Sequence, residues 1–138
     1  MAPFDANAQV FGNSVVSGRF HIVKEFGFEA AHYFGHKPAG HENTRVHGHS
    51  FKVEVALTGE PNAVTGCVVD FETVNKTIER VREKLDHHFL NDIEGLGTPS
   101  LENLASWIAG ELRADFPQLA SVTVRRPTLG ESCRYDLT

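Results

Sequence analysis

The sequence predicts an α+β domain of order ββααββ, an antiparallel sheet with two helices packed on one face. Three observations carry this. Apolar residues alternate with polar ones along two long segments, Phe20–His32 and His47–Leu57, as half-buried strands require. Two apolar stripes of helical spacing follow, and two further strand-like runs, Leu119–Val124 and Ser132–Leu137, close the chain.

The first 18 residues, rich in Ala, Asn, Ser and Gly and free of Lys and Arg, lack the basic start and apolar stretch of a signal peptide. They read as a flexible tail with a short strand at Val10-Phe11 or Val15-Val16, leaving residues 19–138 as the domain. From Arg19 the period is two: Phe20 and Ile22, then Phe26, Phe28 and Ala30, ending at His32. A bulge is expected near Lys24 or Gly27. Residues 33–46 contain glycines and a proline among polar groups and read as a loop. The second long strand begins at His47, whose parity, with that of His49, matches Phe51, Val53, Val55 and Leu57.

Gly59-Glu60-Pro61-Asn62 reads as a turn and Cys67-Val68-Val69 as a short strand. Asp70 suits the N-cap of a helix from Phe71 to Leu85, with Val74, Ile78, Val81 and Leu85 on one face. After a loop at Asp86–Asp92, Thr98-Pro99 reads as N-cap and first residue of a second helix, whose buried stripe is Leu101, Leu104, Ile108 and Leu112.

With 138 residues, 41% apolar and 22% charged, the chain suits one domain with one core. A net charge of −5 argues against a nucleic-acid partner, and no run is long and apolar enough to span a membrane. Cys67 and Cys133 make no disulfide framework, so the expected compartment is cytoplasmic.

The chemistry sits at the strand ends. His32, His47 and His49 converge where unpaired imidazoles would be costly, and a metal removes that cost. Nitrogen-only ligation favours Zn²⁺ over the alternatives Fe²⁺ and Ni²⁺. Gly40, His47, His49 and Glu54 loosely echo a cupin motif. An uninterrupted strand, however, turns Glu54 away from both histidines, and two helices displace the short strands a cupin needs.

Phe28-Glu29-Ala30-Ala31-His32, His47-Gly48-His49-Ser50-Phe51, Val69-Asp70-Phe71, the run Leu85-Asp86-His87-His88-Phe89-Leu90-Asn91-Asp92 and Pro99–Ala105 occur in that order. Together they resemble the 6-pyruvoyltetrahydropterin synthase / 6-carboxytetrahydropterin synthase family over roughly Phe26–Tyr135. The pattern is most like the bacterial 6-carboxytetrahydropterin synthases of queuosine biosynthesis. The resemblance implies a tunnelling fold whose sheets join into a barrel, a homo-oligomer (hexamer or trimer) with active sites between subunits, and zinc on His32, His47 and His49. It also implies a pterin-like small-molecule substrate, 7,8-dihydroneopterin triphosphate, and a proton-moving pair, Asp86 and His87. The local alternative for that pair is a helix-end cap.

Two positions depart from the family. Its catalytic cysteine falls on Asn43, whose amide is no base, and the adjacent Glu42 is the substitute candidate, the alternative being a solvated loop carboxylate. Its pterin-anchoring glutamate falls on Arg126, which has donors only. Glu131 can take over the anchor, or Arg126 meets phosphate or carboxylate. Glu102 matches a family position near the pterin pocket. The expected function is a zinc-dependent lyase giving a 6-carboxytetrahydropterin-type product. The alternatives are a 6-pyruvoyltetrahydropterin synthase-type triphosphate lyase, a diverged protein acting on or binding another pterin- or purine-like ligand, and a non-catalytic member that keeps its metal.

Overall fold

A computed structural model describes residues 8–11 and 14–137. Two short strands, β1 (Ala8–Phe11) and β2 (Ser14–Ser17), pair antiparallel with Ala8 opposite Ser17. Strands therefore form at both places where the sequence predicts one or the other; residues 1–7, 12 and 13 of the predicted tail lie outside the described residues.

The main sheet has the order β3-β4-β5-β6, all antiparallel: β3 (Phe20–His32), β4 (His47–Gly59), β5 (Leu119–Arg126) and β6 (Glu131–Asp136). Two helices, α1 (Phe71–Leu85) and α2 (Leu101–Arg113), lie between β4 and β5 in sequence. Phe26, Phe28 and Ala30 of β3, Phe51, Val53, Val55 and Leu57 of β4, and Val122 and Val124 of β5 are buried against Val74, Ile78, Val81 and Leu85 of α1 and Leu104, Ile108 and Leu112 of α2. Residues of the other parity remain on the uncovered face, where Arg125 pairs with Glu54 and Glu25.

Several local predictions need correction. β3 and β4 pair without interruption from Phe20↔Gly59 to His32↔His47, so the bulge near Lys24 or Gly27 is absent. The apolar parity runs unbroken through Gly27, leaving no extra residue to accommodate. The register shift falls instead between Ala56 and Leu57, on the β5 side. The reversal after β4 is centred on Asn62, whose Oδ1 accepts from the Val64 and Thr65 amides at 2.8 and 3.1 Å. Cys67-Val68-Val69 is consequently no strand: the Cys67 carbonyl closes that turn by accepting from the Asn62 amide at 2.8 Å.

Asp70 caps α1 as predicted, accepting from the Glu72 amide at 3.0 Å. The cap of α2 is Ser100 rather than Thr98, its hydroxyl accepting from the Asn103 amide at 3.1 Å. The Thr98 carbonyl accepts from the Ser100 amide and from Asn103 Nδ2, which delays the first helical turn and leaves Pro99 outside it. β5 continues past Val124 to Arg126. A 3₁₀ turn at Pro127–Leu129 and Gly130 at φ 65°, a conformation glycine adopts without a Cβ clash, then return the chain into β6.

Candidate metal centre and the two cavities beside it

His32 closes β3, His47 opens β4, and the two are cross-strand partners; His49 stands opposite Ala30. Their shared parity turns all three rings toward the core side, where one nitrogen of each lies within 4.8 Å of the others. Ring centroids are 4.6 Å apart for His32–His47 and 4.9 Å for both pairs involving His49. Phe34 and Phe51 pack against the cluster.

The backbone fixes how two of these rings point. His32 Nδ1 lies 3.1 Å from the Pro99 carbonyl and His47 Nδ1 2.8 Å from the Arg45 carbonyl. A carbonyl only accepts, so each Nδ1 carries the proton and each Nε2 keeps its lone pair. The Nε2 atoms of His32 and His49 are buried without a hydrogen-bond partner among the described residues. Such orphans are costly unless something binds them.

Burial, followed by the neighbouring His47 and His49, pushes the His32 pKa down to about 4. Burial and then Arg126 lower that of His49. Both rings are thus neutral at pH 7, the form a metal needs. Three convergent imidazoles, two of them oriented by carbonyls, with open positions around them fit a divalent metal ion.

A cavity of about 580 Å³ opens over His47 and His49. The loop between β3 and β4 brings Glu42 and Asn43 to it, the first turn of α2 brings Glu102, and the β5–β6 turn brings Arg126 and Glu131. Glu42 and Asn43 sit in a 3₁₀ turn capped by His41, whose Nδ1 accepts from the Asn43 amide at 3.0 Å. The Asn43 carbonyl accepts from the Phe34 amide at 2.7 Å, tying this turn to the end of β3. Glu42, Glu102, Arg126 and Glu131, named from sequence, therefore share one cavity with His47 and His49. Cys67 is exposed and Cys133 half-buried against the core, and neither lines this cavity.

Asp86 and His87 are differently placed. Asp86 is the C-cap of α1; its carboxylate accepts from the Glu29 amide at 2.8 Å and lies 2.9 Å from His87 Nδ1. The Glu29 amide, followed by His87, holds the carboxyl below its usual pKa. His87 has φ 59°, its amide donates to the Glu29 carbonyl at 2.7 Å, and its side chain is 80% exposed. His87 borders a second cavity, of about 590 Å³, with Glu29, Ala31, Gly48 and Ser50. Those strand residues have the opposite parity to the three histidines, so this cavity lies across the sheet; His49 borders both. Within one chain the structure joins Asp86 to His87 and separates both from the cavity that holds Glu42.

Sequence reading missed the parts that orient the site. Asn91 copies a strand partner for Tyr33, accepting from its amide at 2.9 Å and donating to its carbonyl at 3.1 Å. With Ala31 donating to the His88 carbonyl at 3.3 Å, the 86–91 segment seals the outer edge of β3 where it presents His32. The Pro99 and Arg45 carbonyls leave no sequence signal, because any residue supplies one.

Comparison with known proteins agrees with this architecture. A family model described as 6-pyruvoyl tetrahydropterin synthase matches residues 21–137. The chain is 39% identical to the 6-carboxy-5,6,7,8-tetrahydropterin synthase of Synechocystis sp., covering 83% of this chain and 91% of that protein. It is 34% identical to the dihydroneopterin monophosphate aldolase of Pyrococcus furiosus, with the same two coverages. The Caenorhabditis elegans 6-pyruvoyl tetrahydropterin synthase structure superposes with a TM-score of 0.76 at 25% identity, covering 88% of this chain and 97% of that one. The family model spans most of the chain and the fold superposes over nearly the whole of a related structure: the chain belongs to the 6-pyruvoyl tetrahydropterin synthase family.

Proposed function

We propose that this protein is a zinc-dependent lyase acting on 7,8-dihydroneopterin triphosphate or a close relative and giving a 6-carboxytetrahydropterin-type product. The observation that carries this reading is the three-histidine cluster, with two buried unpaired Nε2 atoms, under a cavity that also holds Glu42. His32, His47 and His49 would hold the zinc, which when bound supplies a Lewis acid for the substrate's side-chain oxygen.

The remaining chemistry belongs to the protein. Glu42 serves as the base that removes a proton from side-chain carbon, the task Asn43 cannot perform because an amide has no usable basicity. Asp86 fixes the His87 tautomer by accepting from Nδ1, leaving Nε2 free to take up or deliver a proton. His87 faces the other side of the sheet from Glu42, so the proposal includes a homo-oligomer in which His87 of one copy serves the metal cavity of the next. Among the described residues the outer edge of β6 has no strand partner, which with the exposed Phe20, Val23 and Tyr135 supports such an assembly.

Incubating the zinc-loaded protein with dihydroneopterin triphosphate tests the proposal. Triphosphate release with a pterin product identified by mass as 6-carboxytetrahydropterin supports it; a 6-pyruvoyl product, or no pterin product, rejects it. A second reading is aldol cleavage of a dihydroneopterin phosphate, favoured by the 34% identity to the Pyrococcus furiosus relative. That reaction breaks a carbon–carbon bond and leaves the phosphate ester intact, so the fate of the phosphate separates the two.

A further inference from the structure

Arg126 ends β5 and Glu131 opens β6, and the two are direct cross-strand partners. The tight turn between them fixes both side chains over the metal cavity, which each of them lines. Arg126 Nε stands 3.2 Å from Glu131 Oε1 yet forms no well-aligned hydrogen bond there, and it is buried without another partner among the described residues. The arginine side chain is 15% exposed and the glutamate 50%, so a cationic donor at the cavity wall stands beside a more accessible acceptor. Both act on His49, which places them next to the metal ligands.

A donor and an acceptor side by side complement a group that offers an acceptor beside a donor. We infer that Arg126 and Glu131 together read a cis-amide (lactam) edge of the substrate heterocycle, Arg126 donating to the carbonyl oxygen and Glu131 accepting from the adjacent ring N–H. This rests on the pterin reading above, in which the 4-oxo group and N3–H form such an edge. A carboxylate alone would select two adjacent donors, as in N3–H with the 2-amino group; the Arg126–Glu131 pair makes the 2-amino group dispensable. The selected class is therefore a bicyclic lactam, with or without an exocyclic amine.

The test is titration calorimetry on the zinc-loaded wild-type protein with three unphosphorylated ligands: 7,8-dihydroneopterin, its 2-deamino counterpart and its 4-amino counterpart. The 4-amino compound presents a donor to the arginine and an unprotonated ring nitrogen to the glutamate. It should bind about 30-fold or more weakly, the loss expected when charge-assisted partners are mismatched, while the 2-deamino compound stays within about 3-fold of the parent. The reverse ranking overturns the inference. So does an Arg126→Met variant that weakens the triphosphate ester but leaves dihydroneopterin unchanged, since the arginine would then be reading phosphate. If dihydroneopterin itself does not bind, the pterin reading falls and the edge assignment falls with it; reversed ranking with a tightly bound parent removes the edge assignment alone.

Discussion

His32 should make the metal-free protein sensitive to mild acid, and replacing it with leucine should remove that sensitivity. Its side chain is 0% exposed, and burial beside two other imidazoles lowers its pKa from 6.5 to about 4. Below about pH 6.5 the unfolded chain takes up a proton that the folded ring refuses until about pH 4. Stability is therefore full above the unfolded value and is lost as pH falls through this window. At about 1.4 kcal/mol for each pH unit separating the two ionisations, the full loss is about 3 kcal/mol, of which about 2 kcal/mol has gone by pH 5. Urea unfolding of chelator-treated protein at fixed concentration, at about pH 7.5 and about pH 5, measures it. Groups remote from the cluster cancel between wild type and His32→Leu, so the comparison reports the ring together with its coupling to its two histidine neighbours. The leucine variant should retain about 2 kcal/mol more of its neutral-pH stability at pH 5. Parallel losses, agreeing within about 0.5 kcal/mol, would refute the assignment of His32 as a buried neutral imidazole held for a metal.

Four other outcomes follow from the same geometry. His47→Ala or His49→Ala should abolish zinc retention after dialysis, measured by elemental analysis, with the fold preserved by circular dichroism. Glu42→Gln should lower kcat by about 100-fold or more with zinc content and Tm unchanged, the size of effect general-base removal produces; a variant as active as wild type removes Glu42 from the mechanism. Mixing His47→Ala with His87→Ala subunits under conditions of exchange should restore about a quarter of wild-type activity, because random assembly pairs an intact metal site with an intact His87 that often; no recovery would show that His87 does not act across subunits. Asn91→Ala should destabilise by about 1–3 kcal/mol, since both the Tyr33 amide and carbonyl lose their partner.

Much of this was legible because sheet parity is a local property. The alternation through Phe26, Phe28 and Ala30 places His32 on the core face without reference to the rest of the chain, and the same count places His47 and His49. The helical stripes are equally local, as is the Asp70 cap. Legibility fails where a contact joins distant residues. Asp86 meets the Glu29 amide across 57 positions, and no period in either segment encodes that meeting. It also fails where several side chains compete for the same backbone groups: Ser100 caps α2 because Asn103 and the Ser100 amide already occupy the Thr98 carbonyl. The motif around Asp86 is recognisable in the sequence, whereas its position across the sheet from the three histidines is not.

That position follows from the β3–β4 ladder serving as a wall common to both cavities. The two strands pair residue for residue over 13 positions, so every side chain has a fixed side. Ala30, His32, His47 and His49 look toward the helices; Glu29, Ala31, Gly48 and Ser50 look away. His87 is fastened to the Glu29 backbone and takes the outward side with it. A one-residue slip anywhere in the ladder would exchange the faces and destroy both arrangements together. The uninterrupted register therefore constrains function as well as packing: it holds the three imidazoles together while keeping the Asp86–His87 pair on the face left open to a neighbouring molecule. A glutamate in the cavity over His47 and His49, as at Glu42, requires no change in this ladder. The loop carrying Glu42 is anchored through the Asn43 carbonyl to Phe34, and its side chains can change without disturbing strand pairing. The identity of the proposed base is thus free to vary at Glu42 and Asn43, while the spacing of the histidines is not.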